Sequence, residues 1–124
     1  MHPNPSAGFS DLERCAAFVA ARTTLTSVQR AARGWPSALA DPARRAAASV
    51  VDVTAEAAAQ RHASREQRRS LREALRGAIH VVDTIDRARG LGYDDAELDD
   101  LQRVAGRSVA LLGMFLHANT SAFP

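Results

Sequence analysis

The chain has 124 residues, 46% hydrophobic, 24% charged and only 5% aromatic, with a net charge of +2. That length suits one domain with a modest core. A lone Cys15 excludes an internal disulfide, and no apolar run approaches the ~20 residues that span a bilayer.

With so few aromatic residues, the core has to be built from Ala, Val and Leu, which favours closely approaching helices over sheets. The opening segment MHPNPSAGFSDLER lacks the basic start and apolar stretch of a signal peptide. Together with the single cysteine, this predicts a cytoplasmic protein. Residues 1–8, with two prolines and a glycine, read as a disordered lead.

A first helix is expected from Ser10, with Glu13 completing a capping box and Phe9 as its hydrophobic staple. Leu12, Ala16, Val19 and Thr23 recur at helical spacing as its apolar face, with Cys15 and Phe18 beside them. Cys15 reads as a small core residue. The helix should stop by Gly34, because Trp35 precedes Pro36 and a residue before proline avoids the α region.

A second helix opens near Ser37 or at Asp41-Pro42, an acid followed by a proline suited to the first helical position. Its body to Gln60 is alanine-rich, with Val50, Val53 and Ala57 on the apolar side. Small side chains on most of its sides leave two readings open, a buried subunit interface or an alanine-rich surface helix. His62-Ala63 is a break.

Ser64 and Gln67 form a second capping box and start a third helix, Arg65 to about Arg89. Leu71, Ala74, Leu75, Ala78, Val82 and Ile85 give its core face, and Gly90 and Gly92 bracket its end. Asp94 or Asp95 caps a fourth helix with the stripe Leu98, Leu101, Ala105, Ser108, Leu112 and Phe115, widened by Val104 and Leu111. Residues 119–124 should fray. The fold expected is all-α, an antiparallel up-down-up-down four-helix bundle over residues 9–118.

Little in the chain carries catalysis, and no catalytic residue is assigned. The four histidines lack paired metal spacing, and no Glu-x-x-His pair of the di-iron bundles appears. His80, Asp83 and Asp86 lie three apart on one helix face, but three ligands on a straight helix spread too far to wrap one ion. They read as a solvated polar face, and no metal or cofactor is expected. Gly90-Leu91-Gly92 reads as a helix terminator, not a phosphate loop.

The arginines are the chemical feature. All 16 basic residues are arginine, the residue suited to bidentate phosphate contact. At about 100° per residue, Arg61, Arg65, Arg68, Arg69, Arg72 and Arg76 fall within an arc of roughly 100°, away from the Leu71–Ala78 face. Such a basic stripe can follow a phosphate backbone. Arg44 and Arg45 make a second candidate patch. Residues 83–100 hold seven acids against two arginines. The stripe therefore has two readings: phosphate contact with RNA or DNA, or a face that stays solvated or pairs with the acidic part of another subunit. No aromatic residues interleave the arginines, so binding would be non-specific or shape-based.

Several segments also resemble a known family. Phe9 and Leu12, Trp35-Pro36, the helix-two run LADPARRAAASVVDVTAEA, Arg76-Gly77 and Gly92-Tyr93 resemble the bacterial four-helix-bundle family of 23S rRNA intervening-sequence proteins. That family includes the accessory variability determinant of diversity-generating retroelements. Within helix two the matching residues are Leu39, Ala40, Arg44, Arg45, Ala46, Ser49, Ala55 and Glu56. The chain departs at Pro42, Val53, Ala57, Ala78 and Val81, where the family carries glutamine, asparagine, glycine, serine and glutamate. The resemblance implies a non-enzymatic homo-oligomer, a pentamer in the family. It also implies binding of nucleic acid and of a reverse transcriptase through basic surfaces. The alternative is a protein-binding adaptor or structural oligomer with no nucleic-acid role.

Overall fold

The computed structural model describes residues 5–122 and, among their side chains, those from Arg14 onward. Four helices account for nearly all of it: α1 (Pro5–Ala31), α2 (Ser37–Ala59), α3 (Arg65–Gly90) and α4 (Ala96–Ala122), with a short 3-10 turn at Ala32–Gly34. No strand occurs among the described residues, and none of these helices is long and apolar enough to cross a membrane. Each helix packs on two others, in the closed ring α1–α2–α3–α4–α1.

The connections follow local chemistry. Trp35 is extended (ψ 152°), as a residue before proline must be, and the Pro36 carbonyl accepts the N–H groups of Leu39 and Ala40, each at 2.9 Å. Asp95 caps α4, its Oδ1 accepting the Leu98 N–H at 2.9 Å. At the end of α3, Gly92 takes φ +95°. The Tyr93 N–H then reaches Ala88 and the Gly92 N–H reaches Arg89, both at 3.0 Å. This closure gives the carbonyls of Ala88 and Arg89 partners beyond the helix, and only glycine turns that way without strain.

The core is mostly alanine, so the helices lie close. One cluster gathers Val28, Trp35, Ala43, Val81, Ile85, Leu98 and Leu101; the other gathers Ala17, Val50, Leu71, Ala74, Leu112 and Phe115. α2 and α3 pack tightly at Gly77, where an added Cβ would lie 2.7 Å from Val50 Cγ2.

Several boundaries differ from the sequence reading. α1 starts at Pro5, so Ser10 sits inside the helix and not at its N-cap. Proline is accommodated in a first turn, where its missing N–H has no partner to lose. The Phe9 staple, the Glu13 side chain and the rest of the lead, residues 1–4, lie outside what is described. α2 starts at Ser37, which leaves Pro42 within the helix. The carbonyl it deprives of a donor belongs to Ala38, which is exposed to water. At the other terminus α4 runs on through Ala122, and Asn119, assigned to a frayed tail, is buried. Residues 123–124 are not described.

Among the described side chains the buried face of α1 is Ala17, Ala20, Ala21, Thr24, Val28 and Ala31; the Leu12 side chain lies outside them. Val19 is 60% exposed, and Thr23 and Cys15 are exposed too. Cys15 is therefore not a core residue. In α3, Val81, Thr84 and Ala88 join Leu71, Ala74, Ala78 and Ile85 in the core, while Leu75 and Val82 lie at its margin.

Candidate nucleic-acid interface

α3 begins with a run of good helix formers and turns one face inward through Gln67, Ser70, Leu71, Ala74 and Ala78. A period of 3.6 residues then sends Arg65, Arg69, Arg72 and Arg76 to the opposite side, where all four are exposed. Arg61 is exposed in the α2–α3 connection, and Arg68 is half-buried at the edge of the row. Arg65, Arg68, Arg69, Arg72, Glu73 and Arg76 line an open concavity of about 540 Å³. All six belong to α3, so the space lies between arginine side chains and is not a cleft between helices. From Arg65 to Arg76 the row is roughly 16 Å long at 1.5 Å per residue. Among the described residues no ion pair joins Arg61, Arg65, Arg69, Arg72 or Arg76 to an acid.

Beneath the start of this row lies a set of buried polar contacts. The Ser64 Oγ accepts the Gln67 N–H at 3.0 Å and donates to Gln60 Oε1 at 2.7 Å. Gln67 does not complete a reciprocal capping box. Its Nε2 donates to the last carbonyls of α2, Ala57 at 3.1 Å and Gln60 at 3.0 Å. Its Oε1 accepts from Asn119 Nδ2 at 2.8 Å, and that same nitrogen donates to the Ser64 carbonyl at 3.2 Å. Gln67 is 4% exposed and Asn119 3%. Arg14 closes the far side, its Nη1 donating to the carbonyls of Ala58 (3.2 Å) and Gln60 (2.8 Å). A cation there also suits the negative end of the α2 dipole. Arg68 joins the two layers: it lines the concavity and donates through Nε to Asn119 Oδ1 at 3.2 Å.

Arg44 and Arg45 do not extend the row. Val50 faces Gly77 and Ala57 faces Gln67, so residues before Val50 lie level with α3 beyond Gly77, away from Arg65–Arg72. Arg44 is paired with Asp41 at 3.4 Å, and Arg45 is exposed. Three of the five acids in the acidic turn are paired within the chain. Arg89 pairs with Asp94 and with Asp99 (2.9 Å) and also donates to Gln102; Arg103 pairs with Asp100 at 3.4 Å. The hydrogen bond to Asp99, aided by the nearby charge of Asp94, holds the Arg89 pKa above its usual value.

His80, Asp83 and Asp86 are all exposed on α3, and no group of three such ligands gathers among the described residues. Sequence reasoning found the exposed arginines from their period. It missed the roles of Gln67 and Asn119 in joining α2, α3 and α4, since their pairing spans 52 positions. The one signal present was a polar residue at a core-phased position in each helix, Gln67 in α3 and Asn119 in α4. In comparisons with known proteins, no family model, curated protein or solved structure matches the chain.

Proposed function

We propose that this protein is a non-enzymatic accessory factor that binds nucleic acid along the arginine face of α3. The observation that carries the reading is the row of exposed arginines, Arg65, Arg69, Arg72 and Arg76, with no acid partner among the described residues, while at the far end of α3 Arg89 is paired with Asp94 and Asp99. Guanidinium groups one helical turn apart match a repeating phosphate better than a single small anion. With no aromatic ring in the row, the contact is to backbone and insensitive to base sequence. Arg61 extends the row; Arg44 and Arg45 form a separate and weaker patch.

In this reading the helices run antiparallel, up-down-up-down. Three contacts support that order: Arg14, early in α1, bonds the end of α2; Gln67, early in α3, bonds the same end; and Asn119, late in α4, bonds Gln67. The protein is cytoplasmic and self-associates. The resemblance to the intervening-sequence and retroelement accessory family adds a pentameric state and a reverse transcriptase as protein partner.

Light scattering with and without a structured RNA, at low and high salt, tests this. A salt-stable oligomer that gains mass with RNA at low salt supports the reading. An oligomer that ignores RNA at every salt concentration overturns it and favours the adaptor alternative.

A further inference from the structure

We infer that Asn119 is a positioning residue for the proposed phosphate site, acting through Arg68. This rests on the reading of the α3 arginines as that site. Arg68 differs from its neighbours in the row. It is half-buried, and its Nε donates to Asn119 Oδ1 at 3.2 Å while the side chain lines the concavity. Asn119 cannot easily turn away, because its Nδ2 is held at 2.8 Å by Gln67 Oε1 and at 3.2 Å by the Ser64 carbonyl. Gln67 is fixed in turn by two carbonyls of α2. The guanidinium of Arg68 is therefore held at Nε by a buried amide that belongs to another helix.

An arginine held this way loses less side-chain freedom when a phosphate arrives than one free in solvent. Arg65, Arg69 and Arg72 supply charge along the row, and Arg68 supplies a fixed fork at its edge. The last turns of α4 thereby become part of the binding site without touching the ligand.

The test is a double-mutant cycle on the full chain, read as affinity for a fluorescent RNA hairpin over a range of salt. Asn119→Ala should weaken binding roughly three- to tenfold, the range set by ordering one rotamer-rich side chain. The salt slope should stay near wild type, since Arg68 keeps its charge. Arg68→Ala should weaken binding and lower the slope by about 0.9, one phosphate contact. In that background Asn119→Ala should have no further effect. Arg68→Lys keeps the charge and loses the held fork, and leaves the buried amides in place should Asn119→Ala fail to fold. It should bind at least about threefold more weakly at unchanged slope.

Full binding by Asn119→Ala, additive effects in the cycle, or full binding by Arg68→Lys would each overturn the inference and leave the α3 site standing. Absence of RNA binding by the wild-type protein would overturn the site itself.

Discussion

Arg89, at the C-terminal end of α3, lies against Asp94, Asp99 and Gln102, whereas Arg65, Arg69, Arg72 and Arg76, nearer its start, meet no acid of the described residues. The same side chain on the same helix is thus used in two ways. At one end the chain supplies its own counter-charges, and the arginine helps hold the α3–α4 turn. At the other, only Glu73 shares a concavity with five arginines, and like charges stand a turn apart. Such a row opposes folding slightly, by mutual repulsion. The difference teaches where an external anion has something to gain.

The sharpest way to break this contrast is to change Arg65, Arg68, Arg69 and Arg72 together to Ala. RNA affinity should fall by about 2–3 orders of magnitude at low salt, through loss of four phosphate contacts. Circular dichroism should show helix content unchanged, since three of the four replaced groups face outward, Arg68 lies at the edge of the row, and alanine favours helix.

Next in size is Gln67→Ala, which removes the side chain joining three helices beneath the basic end. Two carbonyls of α2 and the Asn119 amide lose a buried partner. Denaturant unfolding should show a loss of about 2–3 kcal/mol.

Gly77 stands midway between the two ends. Gly77→Ala gains helix propensity but drives a Cβ against Val50, and should lower stability by about 1 kcal/mol net. In a Val50→Ala background the same change should stabilise, because only the propensity gain remains. Thermal melts of the four proteins would decide.

The smallest effect is at Arg89. Arg89→Ala should lower the melting temperature slightly at low salt and hardly at all at high salt, while RNA affinity stays within about twofold of wild type. Loss of RNA binding in this variant would erase the contrast between the two ends.

How legible all this was in the sequence varies by helix. The apolar stripe of α4 could be read, though not its end: Leu98, Leu101, Ala105, Ser108, Leu112 and Phe115 are all buried, while Asn119, read as part of a frayed tail, is buried too. α1 could not. Among its described side chains the buried face is alanine and threonine with one valine, Val28, while Val19 and Phe18 lie outward or at the margin, so hydrophobic size was a poor guide. Small residues are buried there because close helix approach leaves no room for larger ones. The arginine row was legible, as charge and period coincide on a surface face. The amide contacts under it were not, because a pair such as Gln67 and Asn119 acquires meaning only once α3 and α4 are side by side.

The central claim is that the exposed arginines of α3, and not Arg89, hold phosphate. The most direct measurement is the slope of log affinity against log salt for a structured RNA, in the wild type, the four-arginine variant and Arg89→Ala. Slopes near −5 are expected for wild type and Arg89→Ala, about 0.9 for each of the six row arginines, and near −2 once four contacts are gone. Equal slopes in wild type and the four-arginine variant would contradict the claim.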